Sequence, residues 1–367
     1  MKPSQETLTS LHLPFDLVAD ILCRLSAKHL VRLRCVCKSW NSLISADSIF
    51  AKKHLRLSTS SQDRHHLILT PTPASPEFHV LHSPISPIFT SIFTTTTVQQ
   101  FRYSITKLRI KGLFGHRPST CDGLVCFKID SSSALLCNPF IGKFKLLPPL
   151  TFPEPFYTLY TLVYDRFTNN YKIIAIYRTF GSKNGVSVHT VGTDYWRTIQ
   201  DFPNYGLAPA PGIFVSDSVY WLLWDEDDVA RFIVSLDLEK ESYQNLSLPV
   251  KNVHITTSLG TLRGCLSLLS QRDKFYDVWI MKEYGNEKSW TKFLSVPHMK
   301  ECEPSVYIRA LYISKYDQVL MEFLNDGKIN LVVYNFINNT FKIPKFQYSR
   351  EHDMTPEVYV ESLISPF

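Results

Sequence analysis

The 367-residue chain contains no run of about 18 consecutive apolar residues, the length a membrane-spanning helix needs. Its opening segment, MKPSQETLTS, is polar and lacks the apolar core of a signal peptide. No membrane partner is expected, and the cytoplasm and/or nucleus is the expected location. The eight cysteines include no C-x-x-C pair and no regular spacing, so neither a disulfide framework nor a zinc cluster is indicated; reduced, buried thiols are. Also missing are GxSxG, HExxH, GxxxxGK(S/T) and GxGxxG, the usual nucleophile, zinc and phosphate-cradling arrangements. The chain is therefore expected to be no enzyme, with no catalytic residue, cofactor or metal. The local cluster His65, His66, His79 and His82 reads as polar side chains on a Pro/Ser-rich linker, not as ligands.

What the chain does have is aromatic residues (13%) and 22 prolines, a composition that favours many short strands and turns. Its length suits either a small domain joined to a large one or two mid-sized domains. The net charge of +6 is concentrated near the N-terminus. Between residues 24 and 56, eight cations (Arg24, Lys28, Arg32, Arg34, Lys38, Lys52, Lys53 and Arg56) face Asp47 alone. Such a patch suits an acidic partner. No interleaved aromatics or zinc-finger spacing accompany it, so an acidic protein surface is favoured over nucleic acid.

The same region reads as three helices. Pro14 suits a first turn, where its missing N–H costs nothing, and Asp16 and Asp20 complement the helix dipole. Leu17, Val18, Ile21, Leu22 and Leu25 then share one face. Ser26 stands where a cap for a second helix belongs, with Leu30, Leu33, Val36, Cys37, Trp40, Leu43 and Ile44 at helical spacing. A third helix is expected from Ser48 to Leu55, with Phe50 and Leu55 turned inward. A core this small often needs a partner.

The segment LPFDLVADILCRLSAKHLVRLRCVCKSWNSLIS, residues 13 to 45, resembles an F-box. The resemblance rests on the Leu13-Pro14 start, Asp16-Leu17, Ile21-Leu22, and the Val36-Cys37-Lys38-Ser39-Trp40 block. One departure is Ser26-Ala27 after Leu25, where relatives commonly have proline. The resemblance implies docking on the Skp-type adaptor of a cullin ubiquitin ligase. The docking residues would be Leu13, Pro14, Leu17, Ile21, Leu22, Leu25, Leu30, Leu33, Val36, Cys37, Trp40, Leu43 and Ile44.

Beyond residue 120 a weak repeat appears: an aromatic residue shortly before a proline, preceded by a polar turn. The prolines are Pro148, Pro203, Pro249, Pro297 and Pro344, spaced 46 to 55 residues apart, and the aromatics are Phe144, Trp196, Tyr243, Trp290 and Phe341. A hairpin per repeat and a four-stranded unit of this length match a propeller blade. First strands are expected at 123–127, 171–177, 212–224, 264–270 and 318–324. A sixth blade would combine residues 65–118 with a C-terminal strand at 357–364, closing the ring. The fold expected is mainly β: a three-helix F-box at 10–57, a linker and poorly matched blade at 58–119, and a propeller of about six blades at 120–367.

The phrases CDGLVCF, LLCNPF, VYD with YKII, and VYWLLW are similar to the F-box-associated domain of large plant F-box families. The resemblance implies a substrate-recognition subunit whose propeller holds an unknown target protein. Trp224, the acidic run Asp225, Glu226, Asp227 and Asp228, and Tyr205 are candidate target contacts on loops. A glycan-binding or metal-dependent catalytic propeller capped by the helices, or an F-box scaffold outside ubiquitination, are the alternative readings.

Overall fold

A computed structural model describes residues 13–72, 79–90, 99–102, 117–150, 157–179, 184–203, 210–224, 231–250, 257–299, 307–325, 328–344 and 353–367. Four helices come first: α1 (Phe15–Leu22), α2 (Ala27–Leu33), α3 (Lys38–Ala46) and α4 (Ser48–Ser60). The stretch expected as one second helix is α2 plus α3. The chain is extended at Cys37, with φ −159° and ψ 167°. A straight helix over the same span would be about 30 Å long. The break instead lets Leu30, Leu43 and Ile44 join one apolar cluster. Asp47 caps α4, its carboxylate accepting from the Phe50 N–H at 2.8 Å.

Six four-stranded antiparallel sheets follow, each a blade. Innermost are the strands Ser119–Cys121, Tyr157–Asp165, Ile213–Val215, Ser258–Leu262, Tyr307–Ile313 and Asp353–Val360, which contact one another in sequence and close the ring. The strands anticipated as first in each repeat are therefore second from the axis, except that 212–224 holds both of the first two. The inner strands escaped the pattern because they share no common length or burial: Ser119–Cys121 is three residues long and partly polar at the channel wall, whereas Tyr157–Asp165 is nine residues long and almost continuously buried.

The closing blade corrects a second expectation. Its order is Asp353–Val360, His65–Thr72, His79–Pro84, Gln99–Arg102, so the C-terminal strand is innermost and ends before residue 361. Eight residue pairs zip Asp353–Val360 to His65–Thr72. The histidines at 65, 66, 79 and 82 thus lie on strands, not on a linker. The His66 and His82 rings stack at 5.5 Å, both buried, and the Tyr359 hydroxyl lies 3.2 Å from His82 Nδ1.

Strands inside a blade are covered by neighbouring blades on both faces. Tyr157–Asp165 and Asn170–Arg178 accordingly carry nearly continuous buried runs, whereas the outer strand Lys143–Leu146 alternates between half-buried and exposed. Leu159, Val163, Ile174, Ile176 and Val186 of the second blade pack on Val219, Trp221 and Leu223 of the third. The repeat aromatics join blades: Trp196 Nε1 donates to the Pro148 carbonyl at 2.8 Å, and the Tyr243 hydroxyl to that of Gln200 at 3.2 Å.

Tight turns with two positive-φ residues connect the first and second strands at Asp122-Gly123, Ser216-Asp217 and Arg263-Gly264. Gly123 also has no room for a side chain, since a Cβ there would sit 2.6 Å from Ser362 Cβ and from the Val360 carbonyl. Gly123→Ala is therefore expected to cost about 1–3 kcal/mol, read as a lower melting temperature; an unchanged melt would contradict this packing.

Candidate docking surface and central channel

Helix α1 starts directly after Pro14, whose carbonyl accepts from the Leu17 N–H at 3.0 Å. Leu13, Leu17 and Ile21 stand four residues apart, on one face, and are 60%, 50% and 56% exposed. Pro14 and Phe15 beside them are also exposed, as are Val36 and Cys37 in the turn before α3. Leu25, Leu33 and Trp40 are half-buried. Leu22, Leu30, Leu43 and Ile44 are buried, and the structure gives these four a different role from surface docking. They pack with Leu124, Leu136, Tyr160, Leu363 and Ile364 of the propeller side in one continuous cluster. The thiols also divide: Cys23, Cys126 and Cys137 are buried, with burial pushing that of Cys126 up to about 12, whereas Cys35 and Cys37 are exposed. Cys37 is held below its ordinary value by the Ser39 hydroxyl and the Trp40 N–H.

Polar contacts complete the seam between helices and ring. Arg64 donates to the Arg24 carbonyl and to Ser58 Oγ, and Lys52 reaches the Tyr164 hydroxyl at 3.3 Å. Glu361, buried, accepts from the Ala27 N–H at 3.0 Å and lies 3.3 Å from His66 Nε2, off the hydrogen-bonding direction. Burial pushes its carboxyl up, but His66 and the Ala27 N–H outweigh that and hold it below the usual value.

His54 Nε2 lies 3.0 Å from the Leu25 carbonyl, a contact in which the ring N–H donates. Burial depresses its pKa below the ordinary 6.5, against the opposing pull of that carbonyl. The unfolded chain thus takes up a proton near pH 6.5 that the folded chain resists, and stability is expected to fall as pH drops below that value. Thermal melts across this range test the point. The dependence should shrink in His54→Gln, and identical pH profiles for the two proteins would contradict it.

A central channel of about 1560 Å³ runs between the inner strands. Its wall holds a buried ionic network. Arg117 makes paired bonds of 2.8 and 2.5 Å to Glu322; Arg309 donates to Glu322 at 3.3 Å, to Glu357 at 2.8 Å and to the Pro356 carbonyl at 2.8 Å. Burial pushes the Glu322 carboxyl up, but the charges of Arg309 and Arg117 hold it low. Arg117 also sits 4.8 Å over the Tyr307 ring.

The helices pack on the first two blades and the C-terminal residues 363–364, on the side of the ring that carries the short turns between first and second strands, as at 122–123. Chain connections of nine or more residues, at 103–118, 147–156, 199–212, 247–257, 298–306 and 343–352, leave from strand ends on the opposite side. Trp224 is at that side, half-buried, with the Arg231 guanidinium stacked 3.5 Å above its ring. Burial lowers the Arg231 pKa to about 10, and its Nη1 donates to the Thr257 carbonyl at 2.8 Å. Tyr205 and the run Asp225, Glu226, Asp227 and Asp228 lie outside the described residues. Reading the sequence missed Arg117, Arg309, Glu322 and Glu357, which share no local pattern. Among the described residues no group of three or more His, Cys, Asp or Glu side chains is placed to hold a metal ion, and no helix is long and apolar enough to cross a membrane.

Comparison with known proteins agrees with this architecture. A family model described as an F-box domain matches residues 10–52, and one described as an F-box associated beta propeller domain matches residues 95–366. The chain is 29% identical over 381 residues to F-box/kelch-repeat protein At3g23880 of Arabidopsis thaliana, covering 99% of this chain and 98% of that protein. It is 26% identical over 350 residues to F-box protein CPR1 of the same plant, covering 86% and 81%. With four helices seated on one side of a six-bladed ring, and both family models matched in that order, the chain belongs to the plant F-box proteins that carry an F-box-associated β-propeller domain.

Proposed function

We propose that this chain is the substrate-recognition subunit of a Skp–cullin–F-box ubiquitin ligase. In this reading Leu13, Pro14, Leu17 and Ile21, with Val36 and Cys37 as neighbours, dock on the Skp-type adaptor, and the adaptor brings the cullin. The carrying observation is the uncovered apolar stripe on α1, which the propeller leaves exposed although it buries the opposite faces of the same helices. An apolar stripe of this kind suits a partner surface. The basic side chains of residues 24–56 add electrostatic steering towards an acidic adaptor. The target protein binds the side of the ring away from the helices, where the long connections and Trp224 are.

The chain makes no bonds in this reading. It raises the effective concentration of target lysines near the ubiquitin carrier, and the catalytic groups belong to other subunits. The complex works in the cytoplasm and/or nucleus. Affinity purification of the intact protein from plant cells with the proteasome blocked tests the whole proposal. Recovery of a Skp-type adaptor, a cullin and a ubiquitinated protein is the expected result; repeated purification without any adaptor would overturn it.

A further inference from the structure

We propose that Glu361 is a positioning residue that locks the F-box helices in one orientation on the propeller, and that it does so only once the ring has closed. Helix α2 begins at Ala27, and the first N–H groups of a helix have no acceptor within it. Ser26 occupies the capping position but makes no capping bond; its hydroxyl pairs with His29 Nδ1 at 2.7 Å. The acceptor is supplied from 334 residues away, by Glu361 Oε2 at 3.0 Å. A carboxylate at that end also complements the helix dipole.

Glu361 is held in turn from the ring. It directly follows the innermost strand Asp353–Val360, and its own N–H donates to the Arg64 carbonyl at 2.9 Å. The residues after it are fastened to the first blade. The Asn138 side-chain amide donates to the Ser362 carbonyl at 3.1 Å and to the Ile364 carbonyl at 2.8 Å, while Leu363 and Ile364 enter the apolar cluster beneath α1, α2 and α3. Residues 361–364 therefore touch the closing blade, the first blade and the F-box together. The carboxylate reaches Ala27 only when the C-terminal strand is paired with His65–Thr72. A propeller that has not closed lacks the cap for α2 and leaves the helices loosely seated.

The consequence for ubiquitin transfer rests on the ligase reading: a fixed F-box holds the target side of the ring at a constant reach from the carrier. The seating itself does not rest on it, and the test keeps the two apart. Hydrogen exchange of the full-length protein, followed by mass spectrometry, would compare wild type, Glu361→Ala and Glu361→Gln. Glu361→Ala is expected to speed exchange across residues 22–33 at least tenfold and leave residues 173–176 and 319–323 protected. Glu361→Gln retains an acceptor oxygen and should stay within about threefold of wild type, since a neutral acceptor replaces only part of a charged one. Unchanged exchange at 22–33 in Glu361→Ala would overturn the proposal. So would parallel loss of protection in the blades, which would make Glu361 a ring-closure residue only. Adaptor capture measured on the same proteins reports on the ligase reading alone: absence of capture by wild type would remove that reading and leave the exchange result standing.

Discussion

Glu322→Ala is expected to be among the most damaging single substitutions in the propeller, costing about 3–5 kcal/mol, as breaking one side of a buried ion pair does. Glu322 is fully buried and receives two bonds from Arg117 and one from Arg309. Its removal strands the Arg117 guanidinium, whose side chain is only 16% exposed, and leaves Arg309 with Glu357 and a carbonyl. The three elements bridged are the approach to the first blade, the fifth blade and the C-terminal strand of the closing blade, so the loss falls on the seam that closes the ring. Urea unfolding followed by tryptophan fluorescence would measure it. Replacing Arg117, Glu322 and Arg309 together by apolar residues of similar size should be milder than Glu322→Ala, because no charge is then left buried without compensation, although Glu357 keeps its partial exposure. A Glu322→Ala protein as stable as wild type would show that the network contributes nothing.

Leu17→Ala combined with Ile21→Ala is expected to weaken adaptor binding by about 2–4 kcal/mol, roughly 30- to 900-fold in Kd, with little change in melting temperature. Both side chains are half or more exposed, so shortening them costs the isolated chain less buried area than truncating a core leucine would. Titration of a purified Skp-type adaptor into the two proteins would measure the difference. Leu22→Ala, one residue further along α1, provides the contrast. That side chain is 2% exposed and packs in the cluster shared with the propeller, so its truncation is expected to lower the melting temperature by creating a cavity. Equal adaptor affinity for wild type and the Leu17/Ile21 double variant would remove α1 from the docking surface.

The contrast between Leu17 and Leu22 shows where reading the sequence stopped. Helical spacing puts Leu17, Val18, Ile21, Leu22 and Leu25 on one broad apolar arc, but it does not say which edge of the arc meets solvent. The neighbour decides that, and the neighbour here includes Leu363 and Ile364 at the far end of the chain. The helix break at Cys37 has the same origin, since nothing local in Arg34-Cys35-Val36 compels it. The histidines misled for a related reason: surrounded by Pro, Ser and Thr they look like linker residues, yet the pairing of His65–Thr72 with Asp353–Val360 and with His79–Pro84 buries the rings of His66 and His82.

The repeat was legible because its marks are local. Polar turns need positive-φ residues, and the aromatics Trp196 and Tyr243 staple their blades to the previous one through the carbonyls of Pro148 and Gln200. These features recur in five of the six blades and so reveal the repeat, and the Leu13-to-Ile44 pattern likewise announces the F-box within one short segment. The inner strands, the Arg117–Glu322–Arg309–Glu357 network and the Glu361 cap of α2 were decided only when the ring closed. Each joins groups far apart in the chain whose residue types are ordinary where they stand. Their meaning lies in burial and in a partner's distance, and neither exists before the C-terminal strand pairs with residue 65 onward.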